Sequence, residues 1–311
     1  MLEYRQDPLT KEWVIISTER GIRPNDFTFP DEPKTDPAKC PFCPGNEDMT
    51  PDTILSKYKD GKWQLRVVPN KFAVVKPEND VGRIVEGLNR KIPGYGFHEV
   101  VIETRDHSRQ PALMNVDEVT DIVEVYFKRY NELLKEPGIE LVTVFRNHGR
   151  SAGTSLVHPH SQIVATPIIP YYLRHKILQT MNYYDDTGHC IFCDIIRQET
   201  ELQERIISEN DEFLVFAPFA AKRPYELLII PKRHKASFGK TNRQERQSLG
   251  RVLRDTLKRM YLALKNPDYN LIIHSAPYQE DPADYYHWRI RIVPRLSKQA
   301  GFEISGPDGL M

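Results

Sequence analysis

The segment His158-Pro159-His160-Ser161-Gln162 decides the reading of this chain. Its two histidines and glutamine alternate, so on a β-strand all three face one side of a sheet. The apolar run Ile163-Val164-Ala165 carries that strand inward. Upstream lies Asn147-His148-Gly149-Arg150-Ser151-Ala152-Gly153-Thr154-Ser155, a stretch rich in small polar residues. Backbone N–H groups in such a loop can approach an anion closely. Alternating histidines on a strand are commonly just packed. An imidazole beside a phosphate cradle points instead to nucleophilic attack on phosphorus.

Working outward, the chain repeats itself. Glu99-Val100-Val101-Ile102-Glu103-Thr104-Arg105-Asp106-His107 has a partner in Glu226-Leu227-Leu228-Ile229-Ile230-Pro231-Lys232-Arg233-His234, and the two histidines stand 127 residues apart. Each is an apolar, β-rich run that ends in polar residues and a histidine. The same offset relates Asn115-Val116-Asp117-Glu118 to Asn242-Arg243-Gln244-Glu245, two Asn-x-x-Glu signals for a capped helix start. Apolar residues then recur every three to four positions, from Val119 to Leu133 and from Leu249 to Leu264. That spacing predicts two helices, each burying one face in a core. A short strand follows each helix, Leu141–Phe145 and Leu271–Ile273. Each half closes on a histidine strand, His158–Gln162 and His287-Trp288-Arg289-Ile290-Arg291. The expected fold is α+β, with two tandem halves, each an antiparallel sheet around a central helix. We place the halves at residues 1–176 and 177–311, with a linking helix from Tyr171 to Tyr184.

The second half keeps the leading histidine but replaces His160 with Arg289 and Gln162 with Arg291. Arginine stays protonated and cannot be the nucleophile. One half is therefore expected to be catalytic and the other to have lost catalysis. Arg289 and Arg291 are free to serve a phosphate, a carboxylate partner or a dimer contact.

Four cysteines fall in two pairs, Cys40-Pro41-Phe42-Cys43 and Cys190-Ile191-Phe192-Cys193. No signal-peptide core follows Met1, which points to a cytoplasmic protein, where such spacing favours metal over disulfide. The repeat then yields two Cys2His2 quartets without further input. They are Cys40, Cys43, His107 and His158 in the first half, and Cys190, Cys193, His234 and His287 in the second. Four such ligands suit a structural zinc ion, two ions per chain.

With 311 residues, 40% hydrophobic and 28% charged, the composition is that of a globular chain of about two domains. Lys plus Arg equals Asp plus Glu at 43 each, which gives no electrostatic case for binding long nucleic acid. No apolar run approaches a membrane span.

The segment FRNHGRSAGTSLVHPHSQI resembles, nearly position by position, the active-site segment of galactose-1-phosphate uridylyltransferases, a branch of the histidine-triad superfamily. Asn147, Gly149, Gly153, Ser155, His158, Pro159, His160 and Gln162 carry the likeness. The resemblance implies a two-step exchange. His160 attacks the α-phosphorus of a nucleotide sugar, a sugar 1-phosphate leaves, and a second sugar 1-phosphate collects the nucleotide from the histidine. It implies that Gln162, Ser155, Gly153 and Asn147 serve the phosphates, and that zinc pins His158. Arg20-Gly21-Ile22-Arg23-Pro24 resembles the family's Arg-x-x-Arg-Pro, so Arg20 and Arg23 are expected at phosphate or substrate. Asn70-Lys71-Phe72 resembles its nucleoside-binding Asn-Asp-Phe, with Lys71 departing from the acidic residue. Gly301-Phe302-Glu303 resembles a Gly-Tyr-Glu motif, which places Phe302 and Glu303 at the sugar. Some relatives carry another metal in the second half, on histidines where this chain has His274, His287 and Arg289; Arg289 argues against that site here. His98, His148, His175 and His189 read as surface residues. A homodimer is implied.

The leading expectation is UMP exchange between UDP-glucose and galactose 1-phosphate. The alternative is an adenylyl enzyme of the same superfamily, a phosphorylase of ADP-sugars or dinucleoside tetraphosphates. Intact His160 and Gln162 argue against a zinc-stabilised binder without turnover, and neutral charge argues against a nucleic-acid-binding zinc protein.

Overall fold

The structure, a computed structural model, describes residues 2–17, 35–78, 80, 82–277 and 284–296. In chain order the elements are β1 (Leu2–Gln6), β2 (Trp13–Ser17), β3 (Leu55–Lys59), β4 (Lys62–Pro69), β5 (Ile84–Glu86), β6 (Asn89–Lys91), β7 (Phe97–Ile102), α1 (Val116–Leu133), β8 (Leu141–His148) and β9 (His160–Thr166). They continue with α2 (Tyr171–Thr187), α3 (Ile191–Leu202), β10 (Ile206–Glu209), β11 (Phe213–Phe216), β12 (Leu227–Pro231), α4 (Arg243–Leu264), β13 (Tyr269–His274) and β14 (Arg289–Pro294).

Both Asn-x-x-Glu signals are capping boxes. Asn115 accepts from the Glu118 N–H, and Glu118 reaches back to the Asn115 N–H. Asn242 and Glu245 do the same for α4. Each box satisfies two N–H groups that a helix start otherwise leaves orphaned.

Ten strands form one antiparallel sheet in the order β10-β11-β12-β14-β13-β8-β9-β7-β4-β3. Each half contributes five consecutive strands, and the halves meet where β13 pairs with β8, Tyr269 opposite His148 and Ile273 opposite Val144. The sheet is thus shared across the repeat. Both long helices lie on one face. Val119, Ile122, Val123 and Tyr126 of α1 and Leu249, Val252, Leu253 and Leu257 of α4 join Val144, Ile163, Ile229 and Ile290 in a single core. Each such aliphatic side chain contributes roughly 1.5–3 kcal/mol on full burial. α1 and α4 cross closely: a Cβ on Gly250 would lie 2.1 Å from Thr120 Oγ1. Only glycine lets the helices approach so far.

Alternation sorts each inner strand. On β9, Ser161 and Ile163 face the helices, and the Tyr126 hydroxyl donates to Ser161 Oγ at 2.8 Å. His160 and Gln162 face the other side. There the two cysteine pairs lie in separate small clusters, Cys40, Phe42 and Cys43 with Trp63 and Val100, and Cys190 and Phe192 with Leu214 and Ile230.

The histidine strands start two residues later than the sequence suggests. β9 begins at His160, and the Pro159 carbonyl accepts from Glu103 N at 3.1 Å. Pro159 has no N–H, so the ladder cannot run through it. β14 likewise begins at Arg289. His158 and His287 therefore precede their strands and turn toward the cysteines. Among the described residues no helix is long and apolar enough to cross a membrane.

Candidate active site and metal centres

His160 is 8% exposed, and its ring stands 5.3 Å from that of Phe42. Its Nδ1 lies 2.8 Å from the His158 carbonyl. A carbonyl only accepts, so Nδ1 carries the proton and Nε2 keeps the lone pair. Burial holds the His160 pKa below its ordinary value. The ring is thus neutral near pH 7, with one basic nitrogen available to attack.

Gln162, two residues on, is oriented by a group that the sequence reading set aside. His98 is buried, not a surface residue, because β7 is an inner strand of the sheet. Its Nδ1 accepts from Val74 N at 3.2 Å, so Nε2–H donates to Gln162 Oε1 at 2.7 Å. Asn70 Nδ2 lies 3.0 Å from that same His98 Nε2 and 3.4 Å from Gln162 Oε1. With the His98 proton spent on Gln162, Asn70 can donate only to the glutamine oxygen. Two donors on Oε1 leave the Nε2 end of the amide as the one that can donate elsewhere. Only the position of His98 on an inner strand reveals this role, and its histidine identity alone gave no signal.

The floor beneath β9 is a buried ionic network. Arg146 meets Glu103 at 3.0 Å and donates to the Tyr269 hydroxyl at 2.9 Å. Burial disfavours the guanidinium, but Glu103 and its other neighbours more than compensate and hold it charged. His148 is also buried, against Tyr269, and its pKa is lowered to about 3, first by burial and then by Arg146. Nothing in the sequence near Glu103 or Arg146 marked them.

The polar loop is partly self-satisfied. The Gly153 N–H closes a turn onto the Arg150 carbonyl at 3.0 Å, with Gly153 at φ +90°. Asn147 Oδ1 accepts from Asn270 Nδ2 of the second half at 2.8 Å. Ser155 is exposed. Arg146, Asn147, Thr154 and His160 line one small cleft. Arg20, Arg23, Phe302 and Glu303 lie outside the described residues.

Both Cys2His2 quartets assemble. The donor atoms of Cys40, Cys43, His107 and His158 all lie within 4.8 Å of one another, and so do those of Cys190, Cys193, His234 and His287. Cys43 Sγ is 3.2 Å from His107 Nδ1 and 3.5 Å from His158 Nδ1. In the second quartet Cys193 Sγ is 3.3 Å from His234 Nδ1 and 3.8 Å from His287 Nδ1. A tetrahedral shell at ordinary zinc bond lengths spaces its donors roughly 3.3–3.8 Å apart. All four thiols are free. Burial and the adjacent Cys40 push the Cys43 thiol up to about 12 when no cation sits between them. A cation at the centre is what would ionise the pair. The residues present fit a metal.

The quartets differ in support. His158 Nε2 donates to the Thr104 carbonyl at 2.9 Å, which fixes its tautomer and ring angle. His287 Nε2 is buried with no hydrogen-bond partner among the described residues.

A neutral histidine at the head of a sheet strand, a neighbouring histidine turned onto a Cys2His2 centre, and an orienting glutamine two residues on define a protein of the histidine-triad superfamily. Within it, this chain belongs to the galactose-1-phosphate uridyl transferase family. The family's N-terminal domain matches residues 1–170 and its C-terminal domain residues 176–302. The chain is 37% identical to an ADP-glucose phosphorylase of Arabidopsis thaliana, over 97% of this chain and 87% of that one. It is 30% identical to a galactose-1-phosphate uridylyltransferase of Thermotoga maritima, over 94% and 87%. Among solved structures, an Arabidopsis thaliana ADP-glucose phosphorylase with bound ADP-glucose superposes with a TM-score of 0.83 at 35% identity, covering 98% of this chain and 93% of that one.

Proposed function

We propose that this chain transfers a nucleoside monophosphate from a nucleoside diphosphate sugar to a phosphate-bearing acceptor, through a covalent bond to His160. The observation that carries the reading is the hydrogen bond from His160 Nδ1 to the His158 carbonyl, which leaves Nε2 as the nucleophile. Nε2 attacks the α-phosphorus, a P–N bond forms, and the bond from phosphorus to the bridging oxygen breaks. The sugar 1-phosphate leaves with that oxygen. As the ring becomes cationic, its Nδ1–H bond to the carbonyl strengthens. An oxygen of the acceptor phosphate then attacks phosphorus, the P–N bond breaks, and His160 returns to its neutral form. Gln162 donates from Nε2 to a non-bridging oxygen, which suits the charge developing on phosphorus. Asn147, Gly153, Ser155 and Asn70 line the substrate, with Arg20 and Arg23 at its phosphates and Phe302 and Glu303 at the sugar. Zinc held by the two quartets would supply cross-links rather than reacting atoms, and at Cys40, Cys43, His107 and His158 it would fix the segment that aims His160.

The Arabidopsis likeness supports ADP-glucose as donor and inorganic phosphate as acceptor. The Thermotoga likeness supports the exchange expected from the sequence, UDP-glucose with galactose 1-phosphate. Lys71, in place of an acid beside Asn70, bears on this choice of base. The reading also carries a cytoplasmic homodimer, which sedimentation tests.

The deciding experiment incubates the zinc-loaded protein with ADP-glucose or UDP-glucose, without acceptor, and weighs it intact. We expect a gain of one AMP or one UMP, on His160 and labile to acid. The nucleotide that loads with the higher kcat/KM names the donor. Turnover with no covalent species on a rapid-quench timescale would overturn the mechanism.

A further inference from the structure

A cavity of about 280 Å³ lies against the second half's histidine strand, on the same face of the sheet as the metal centres, and is walled also by residues 6–9 and by α2. Its wall is the counterpart of the active site, because Arg289 stands where His160 does and repeats its backbone contact. Arg289 Nη1 donates to the His287 carbonyl at 3.0 Å, as His160 Nδ1 does to His158. Helix α2 closes the cavity with Tyr172 and Lys176, and Arg291, Lys222 and His274 also face it.

The charges here do not balance. Arg291 is paired with Glu226 at 2.6 Å, and Lys222 with Glu12 at 2.6 Å. Glu199 of α3, another lining acid, is held by Arg205 at 3.0 Å. Asp7 accepts from the N–H groups of Leu9 and Thr10. Arg289 and Lys176 are 3% and 8% exposed, and neither has a carboxylate partner among the described residues. Arg289 instead lies 4.3 Å from the centre of the Phe192 ring, and Lys176 Nζ 4.3 Å from that of Tyr172. His274 Nε2 is buried there without a hydrogen-bond partner among the described residues. Two buried cations facing one cavity are costly unless an anion joins them. Burial first, then the nearby Arg289 and Arg291, depress the Lys176 pKa to about 7, with Asp7 opposing them from beyond ion-pair distance.

We propose that this cavity is a second, non-reactive anion site that holds a phosphate group, free or as a monoester, between Lys176 and Arg289. Arginine's planar fork suits the oxygens of a phosphate, and the lysine adds a point charge. No nucleophile replaces His160 at this wall, so the bound phosphate is kept and not transferred. The aromatic rings beside it give the body of a monoester an apolar face. The proposal rests on the cavity's own charges and is independent of the transfer reading.

Calorimetric titration of the zinc-loaded full chain with inorganic phosphate, and separately with AMP and glucose 1-phosphate, tests it. Besides binding at the His160 site, we expect one further binding event that depends on Lys176 and Arg289 and persists in the His160→Ala protein. Lys176→Gln and Arg289→Gln should each weaken that event by about tenfold or more, the worth of one charge-assisted hydrogen bond. If inorganic phosphate binds as tightly as the monoesters, free phosphate is the occupant; tighter monoester binding assigns the site to a phosphorylated metabolite. Lys176 lies on a helix outside the sheet, so Lys176→Gln keeps the test valid if Arg289→Gln misfolds. Unchanged binding of all three probes to a natively melting Lys176→Gln protein would overturn the proposal. So would a tungstate-soaked crystal with anomalous density at His160 and none at Lys176.

Discussion

The two halves keep the same frame and exchange its contents together. Phe42 packs on His160 in the first half, and Phe192 packs on Arg289 in the second. Both residue 160 and residue 289 donate to the carbonyl two positions earlier. In the ladders Val100 is opposite Gln162, and Leu228 is opposite Arg291. Two residues before those partners stand His98 and Glu226. His98 bonds Gln162 at 2.7 Å, and Glu226 bonds Arg291 at 2.6 Å. A neutral pair in one half is thus an ion pair in the other. The exchange of the nucleophile converted a polar, neutral wall into a charged one.

The sharpest way to break this comparison is to ask which half reacts. His160→Ala should lower turnover by roughly four orders of magnitude or more, as removal of a covalent nucleophile does, and abolish the mass adduct. Zinc content and melting should stay unchanged, because His160 is not among the metal donors. A surviving adduct would place the chemistry elsewhere, the second half included.

Next come the quartets. Cys43→Ser and Cys193→Ser should each halve the zinc found by metal analysis, from two ions per chain to one. Each should cost at least about 2 kcal/mol, or roughly 4–8 °C in melting for halves of this size. Cys43→Ser should also lose the adduct, since it frees the segment that aims His160. Equal effects of both variants on the adduct would dissolve the distinction between the centres.

A smaller effect separates His98 from a merely packed residue. His98→Ala should lower kcat about 10- to 100-fold with little change in KM, because it leaves Gln162 unaimed. His98→Asn, which can still donate to Gln162 Oε1, should recover part of it. A matching loss of thermal stability with kcat intact would reduce His98 to packing.

The two metal centres should also differ in grip. Of the two histidines that precede the strands, His158 has its Nε2 tied to a carbonyl, and His287 Nε2 has no hydrogen-bond partner among the described residues. A graded chelator titration should therefore strip the second quartet first, with affinities roughly 10- to 100-fold apart. Simultaneous loss would show that this anchor does not matter.

The smallest effect lies at the seam between halves. His148 has its pKa lowered to about 3, so the unfolded chain binds a proton near pH 6.5 that the folded chain refuses. Its contribution is complete above pH 6.5 and is lost as pH falls toward 3. Denaturant midpoints taken from pH 7 to pH 4 should fall less steeply for His148→Gln than for the unaltered chain.

Much of this was legible in the sequence for a physical reason. Capping boxes and helical periodicity are local, so Asn115, Asn242 and the two long helices could be placed from neighbours alone. The quartets were legible because a repeat supplies its own alignment, which paired His107 with His234 and His158 with His287. What the sequence did not reveal depends on contacts across the sheet. His98 and His148 read as surface residues because only strand order buries them. Glu103 and Arg146 gave no sign, since a buried ion pair between residues far apart has no local pattern. The two-residue delay appears in both halves: at β9 Pro159 has no N–H for the ladder, and at β14 the Trp288 N–H goes to the Lys235 carbonyl at 2.9 Å.

The seam between β8 and β13 carries a consequence for the pieces of this chain. In the intact protein each of these strands covers the other's hydrogen-bonding rim. Cut at the linking helix, either half would present a long open edge of unpaired N–H and C=O groups, which invites strand addition by another molecule. The pairing there is antiparallel and nearly symmetric, so the readiest partner for an isolated half is a second copy of itself. A single chain that carries both halves makes that encounter intramolecular, so neither edge is left open. Two tethered halves also need not match, and the difference between His160 and Arg289 is one that a pair of identical separate copies could not carry.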